Sequence, residues 1–182
     1  EILKHAIISD KKFFSFLNKN GSQILSLQSP SIEKAIYQSC SIKKKIVEAD
    51  EKEMNIRKIL NFGHTFAHAY EATLGFSKKL NHGEAVILGI NTAIKLSLSN
   101  KILRQKEFEI ITNHLLKFNL PRNINKFFTT KHLSKILSFM KKDKKNNTKK
   151  INLVLIKKIG NPIYNMQFNE KKIRFFLKKE LT

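Results

Sequence analysis

His64 and His68 stand four residues apart in a segment with no helix breaker between them, so on an α-helix of 3.6 residues per turn both imidazoles leave the same face. Glu71 continues that stripe. Gly75 then offers a stop, a loop rich in Lys and Asn follows, and His82-Gly83-Glu84 stands where the next apolar run begins. Histidines are thereby delivered from two neighbouring helix ends. Neutral imidazole nitrogen is a favoured ligand of zinc and its neighbours, and ligands from separate elements can converge on one ion. The spacing by itself does not establish this, because H-x-x-x-H pairs arise by chance on many helices and a lone His more often serves as a hydrogen-bonded core or surface group. Nor does it say which of His64 and His68 would face a metal.

The elements that must position these groups read as helices. Residues 1–8 are apolar around Lys4 and His5 and suggest the end of a helix, broken near Ser9-Asp10, where a new N-cap can form. Phe13, Phe14, Phe16 and Leu17 make a short helical patch that Asn20-Gly21 is expected to end. Ser29-Pro30-Ser31 opens a long helix with Ser31 as the expected cap, and Ile32, Ala35, Ile36, Ile42, Ile46 and Val47 recur at three- and four-residue steps as a core-facing stripe. An acidic link from Ala49 to Glu53 is unusual in so basic a chain and could hold nearby cations. Ala85 to Leu98 is strongly apolar, with Ala85, Gly89 and Ala93 at four-residue steps, and reads as the most buried helix, open to close approach by a neighbour. Ile102–Leu116 and the stretch around Leu133, Ile136, Leu137 and Met140 are amphipathic. Lys141–Lys150 is a charge run read as a solvated loop. Ile151–Ile156, followed by the Gly160-Asn161-Pro162 turn, predicts a small β-hairpin, and Asn169 can cap a terminal helix.

With 182 residues, 41% of them apolar and only 6 Gly and 3 Pro, the chain can bury one sizeable core. It opens on Glu rather than Met, which suggests the C-terminal part of a longer chain. Lys and Arg number 35 against 14 Asp and Glu, a net charge of +21 that would ordinarily point to a polyanion. The charge is spread along the chain, however, without a basic stripe interleaved with aromatics. Lys, Asn and Ile are abundant together, as A- and T-rich codons would produce, so no specific nucleic-acid partner is expected. Cys40 is alone, which excludes an intrachain disulfide and suits a reducing cytoplasm. The apolar run Ala85–Ile90 falls far short of the roughly 20 residues that a bilayer requires, so no membrane partner is expected either.

Taken together, Asn61, Gly63-His64-Thr65-Phe66, His68, Glu71, His82-Gly83-Glu84-Ala85-Val86 and Gly89 resemble the metal-site signature of the 3-dehydroquinate synthase family of the shikimate pathway. Lys43, Val47, Asp50-Glu51, Glu53 and Arg57 fall where that family carries the approach to its active site, and Glu1-Ile2-Leu3-Lys4 resembles its E-x-x-K segment. The resemblance covers essentially the whole chain. It implies a mainly α fold, the multi-helix C-terminal domain of the dehydroquinate synthase-like fold with one small β-hairpin, in which residues 1–182 form a single metal- and substrate-binding domain. The NAD-binding α/β domain would lie N-terminal to this chain, which holds no G-x-G-x-x-G.

The resemblance further implies conversion of 3-deoxy-D-arabino-heptulosonate 7-phosphate, a small sugar phosphate, to 3-dehydroquinate and phosphate, with NAD and one zinc or cobalt ion. Glu1, His64 and His82 would be the metal ligands; His68, Lys4 and Glu53 would be catalytic; Lys43, Arg57, Asn61, Lys144 and Lys145 would bind substrate. A homodimer is left open. Three departures from the family pattern stand out: Ala67 and Ala6 where Gly is common, and a loop between His64 and His82 that is one residue longer. Related sugar-phosphate cyclases and metal-dependent alcohol or glycerol dehydrogenases are the alternatives, the latter usually offering Asp at the position of Glu1. A basic nucleic-acid-binding module is the alternative of a different class. If the charge is compositional, binding to duplex or single strands should collapse with rising salt. Sequence-selective binding tighter than about micromolar near 150 mM salt, measured by gel shift, would contradict this.

Overall fold

A computed structural model describes residues 1–142 and 150–182. The helices, in chain order, are Ile2–Ser9 (α1), Lys11–Leu25 (α2), Ser31–Ala49 (α3), His64–Thr73 (α4), His82–Ser99 (α5), Gln105–Lys117 (α6), Leu133–Lys142 (α7) and Glu170–Leu181 (α8). A 3-10 turn at Ile56–Asn61 leads into α4, and Lys150–Lys158 (β1) pairs antiparallel with Asn161–Asn169 (β2). Among the described residues the chain is thus mainly α with one hairpin, as the sequence suggests. Among the described residues, no helix is long and apolar enough to cross a membrane.

At the centre is α5, where Ala85, Val86, Leu88, Ile90, Ala93, Ile94 and Leu96 are buried. Its first turn is closed by a capping box in which Glu84 Oε2 accepts the Asn81 N–H at 2.9 Å. The stripe of small residues brings α4 directly against it. A Cβ on Gly89 would overlap the Gly63 carbonyl oxygen and stand 3.0 Å from the Ala67 nitrogen, and a Cβ on Gly63, at φ 78°, would stand 2.7 Å from the Ile90 nitrogen. Ala67 is fully buried at this crossing. The far side of α5 meets the hairpin, whose Ile156 N–H donates to Ser97 Oγ, and α8, through the Lys95–Glu180 ion pair. Gly75, at φ 67°, follows the end of α4 as expected.

Three local expectations fail. Helix α2 runs through Asn20-Gly21 to Leu25, because Gly21 admits the ring of Phe118 rather than ending the helix; a Cβ there would overlap that ring. Ser31 is not the cap of α3 but its first residue, and its hydroxyl donates to Gln23 Oε1 at 2.7 Å, tying α3 to α2. Ile36 is 49% exposed and leaves the core-facing stripe, which Ala35, Ser39 and Ile42 carry instead.

The α4–α5 contact yields a paired test. Gly89→Ala should lower unfolding stability by at least about 1–3 kcal/mol, since backbone leaves the new methyl no room. Gly83→Ala, on the same helix with nothing within 4 Å, should leave stability unchanged or raise it by up to about 1 kcal/mol in chemical denaturation.

Candidate metal centre

Glu1, one residue before α1, His64 at the start of α4 and His82 at the start of α5 offer ligand atoms that all lie within 4.8 Å of one another. The close crossing of α4 and α5 juxtaposes the two helix starts. Each donor is also aimed. His64 Nδ1 lies 3.3 Å from the Phe62 carbonyl, an acceptor only, so the proton belongs on Nδ1 and Nε2 presents its lone pair. That Nε2 faces Glu1 Oε1 at 3.1 Å. His82 Nδ1 lies 3.0 Å from Glu71 Oε1, which likewise leaves Nε2 free to ligate. Donor atoms of two imidazoles and a carboxylate thus lie close together, an arrangement that could hold one cation. The donor set fits zinc or cobalt.

Glu1 divides its oxygens. Oε1 faces His64, while Oε2 accepts from Lys4 Nζ at 2.7 Å. Partial burial pushes this carboxyl's pKa up, but its close contact with His64, the hydrogen bond from Lys4 and the Lys4 charge outweigh it, so the group stays ionised well below the usual carboxylate range. Lys4 is itself buried, which together with the like charge of Lys43 depresses its pKa, while Glu1 opposes the shift. His5 packs behind them with Nδ1 on Ser39 Oγ at 2.7 Å. Burial, and then the charge of Lys4, lower its pKa to about 4, so it is a neutral ring whose Nε2 stands 3.7 Å from Glu1 Oε2.

His68 is exposed one turn beyond His64, the ring centres 5.4 Å apart and nearly perpendicular, and is not part of the three-donor cluster. Lys43 is exposed on α3, near enough to Lys4 to act on its charge. Glu53 and Asn61 are joined by an Asn61 Nδ2 donor to Glu53 Oε1 at 2.8 Å and line a cleft of about 420 Å³ with Lys58 and Thr65. Glu53 adopts φ 56°. The bend is held by Asp50, whose carboxylate accepts the backbone N–H groups of Met54, Asn55 and Arg57 at 2.9, 2.7 and 3.0 Å. Slight desolvation raises the Asp50 pKa, and these three donors more than offset it. Arg57 donates from its guanidinium to the Glu51 carbonyl. Lys144 and Lys145 lie outside the described residues.

Sequence reasoning placed Glu71 on the histidine stripe without seeing that it reaches His82, eleven residues on. The seven-residue interval from His64, two helical turns, was the available signal.

Residues 1–146 match the family model for the 3-dehydroquinate synthase C-terminal domain. The chain belongs to the 3-dehydroquinate synthase family. A 3-dehydroquinate synthase of Pelagibacter ubique is 70% identical over 182 residues, all of this chain and 50% of that protein. One from Thermoanaerobacter pseudethanolicus is 41% identical over 160 residues, 88% of this chain and 44% of that protein. The chain therefore spans about half the length of the curated relatives it matches. Among solved structures, a 2-epi-5-epi-valiolone synthase from Streptomyces hygroscopicus with NAD+ and Zn2+ bound superposes with TM-score 0.80 at 20% identity, over 98% of this chain and 49% of that one. A 2-deoxy-scyllo-inosose synthase complexed with carbaglucose-6-phosphate, NAD+ and Co2+ gives TM-score 0.79 at 19% identity, over 98% and 50%. The cyclases share the fold, whereas the level of sequence identity places the chain with the dehydroquinate synthases.

The geometry separates the two histidines of α4. In the full-length protein, His64→Ala and His82→Ala should each lower metal content after dialysis, while His68→Ala should retain it near stoichiometry by elemental analysis. Metal lost from His68→Ala and kept by His64→Ala would reverse the assignment.

Proposed function

We propose that this chain is the metal- and substrate-binding half of a cytoplasmic 3-dehydroquinate synthase, a lyase that converts 3-deoxy-D-arabino-heptulosonate 7-phosphate to 3-dehydroquinate and phosphate in the shikimate pathway. NAD would be carried by residues outside these 182. The observation that carries the reading is the convergence of Glu1, His64 and His82 beside Lys4 in a chain 70% identical along its whole length to a 3-dehydroquinate synthase.

Glu1, His64 and His82 would hold one zinc or cobalt ion, which supplies Lewis-acid polarisation of a substrate hydroxyl. The chain's own groups do the rest. Glu1 keeps its charge because Lys4 binds the oxygen that faces away from the cluster. Lys4 and Lys43 place positive charge where an anionic substrate would enter. His68, exposed and beside His64, is suited to exchange a proton with the substrate or its phosphate. Glu53 fixes the Asn61 amide, leaving its carbonyl side for substrate hydroxyls, and Arg57, on the Asp50-anchored bend with its guanidinium on the Glu51 carbonyl, would offer a fork matched to carboxylate or phosphate.

The decisive measurement is phosphate release by the full-length protein given the heptulosonate phosphate, NAD and zinc. Turnover is expected there, with none from a polypeptide of residues 1–182 alone. His68→Ala should lower turnover by roughly 10²–10⁴-fold. A full-length protein that ignores this substrate and cyclises a different sugar phosphate would move the assignment to the related cyclases.

A further inference from the structure

His82 is the weakly supported member of the cluster. Its side chain is 56% exposed at the first residue of α5, whereas that of His64 is 14% exposed and packed at the start of α4. An imidazole so open to solvent has two rotatable bonds and two chemically distinct nitrogens, and presents either unless something selects one. Glu71 is placed to select. It stands two turns along α4 from His64, its side chain is only 12% exposed, and Oε1 lies 3.0 Å from His82 Nδ1. Glu71 does not join the group of Glu1, His64 and His82 whose ligand atoms converge within 4.8 Å. It meets the ring at Nδ1, which leaves Nε2 for a shared ion.

We infer that Glu71 is the positioning residue of the metal centre: its carboxylate holds the His82 ring in one orientation and in the Nδ1–H tautomer, so that Nε2 is presented to a divalent cation. An ionised carboxylate only accepts, so the contact puts the imidazole proton on Nδ1 and the lone pair on Nε2. Helix α4 thus contributes one ligand directly and aims a second that belongs to α5. The two histidines are held by different means: His64 by the Phe62 carbonyl two residues before it, His82 by a carboxylate eleven residues before it. A shift in the crossing of α4 and α5 would therefore turn the His82 ring as well as move it.

The inference rests on the metal reading above, and the test separates the two. Zinc affinity of full-length wild type, Glu71→Ala and Glu71→Gln is measured by chelator competition. The zinc-free proteins, labelled with 15N-histidine, are examined by long-range 1H–15N NMR, which reports each ring's tautomer without metal or activity. Glu71→Ala should bind zinc about 10–100-fold more weakly, and its His82 should lose the fixed Nδ1–H form. Glu71→Gln keeps an acceptor of the same size and should recover part of the affinity and the tautomer. Zinc affinity within about twofold of wild type in Glu71→Ala, or weakened affinity with the His82 tautomer unchanged, would overturn the inference while leaving the metal site standing. Wild type that binds no zinc would overturn both.

Discussion

Helix α5 passes against the start of α4 with only the hydrogen of Gly89 between its backbone and the Gly63 carbonyl, and this approach sets the distance between His64 and His82. Two helices packed through ordinary side chains lie about 8–10 Å apart. Here the small residues Gly63, Ala67, Ala85 and Gly89 bring the helix starts together, and the ring centres of His64 and His82 end up 6.1 Å apart. Gly63 adds a second condition: its left-handed backbone lets the chain leave the 3-10 turn and enter α4 with His64 already facing the cluster. The family's usual Gly at position 67 is not needed for the contact, since the Ala67 methyl is fully buried while Gly89 opposite remains bare.

In a chain of net charge +21, the few carboxylates are assigned with care. Glu1 meets Lys4 and His64, Glu71 meets His82, Glu53 meets Asn61, and Asp50 takes three backbone amides. Each acts on a residue singled out as a candidate or on the bend that carries one. The dispersed lysines make the protein basic; this handful of acids gives the site its order. The acidic link expected to hold cations does something narrower, since Asp50 is engaged with main-chain donors and shapes the path from α3 to the 3-10 turn.

What could be read from sequence follows from how local the cause is. Helices α4 and α5 announce themselves by period and by Gly75, and the hairpin by a β-branched run before Gly160-Asn161-Pro162, because those signals act within a few residues. That a neighbour would approach α5 closely was legible from the Ala85, Gly89, Ala93 stripe, although not that the neighbour is α4. Gly21, Ser31 and Ile36 were misread because each is decided by a distant partner or its lack: the Phe118 ring for Gly21, Gln23 for Ser31, open solvent for Ile36. The candidate site divides in the same way. His64 and His68 stood out by spacing, but Glu1 entered only through resemblance to the E-x-x-K segment, since no periodicity links the first residue to the sixty-fourth. The bond from Glu71 to His82 crosses a loop whose return path no local rule describes.

The three converging donors sit at positions 1, 64 and 82, on segments that come together only after α1, α4 and α5 have docked. An unfolded chain cannot offer them to one ion. Occupancy of such a centre is therefore a thermodynamic clamp on the fold: any ligand that binds the native form alone stabilises it by an amount that grows with the logarithm of its concentration, about 2.7 kcal/mol at a hundredfold excess over the dissociation constant. On the proposed function, metal supply would then set part of the stability of the fold as well as its chemistry.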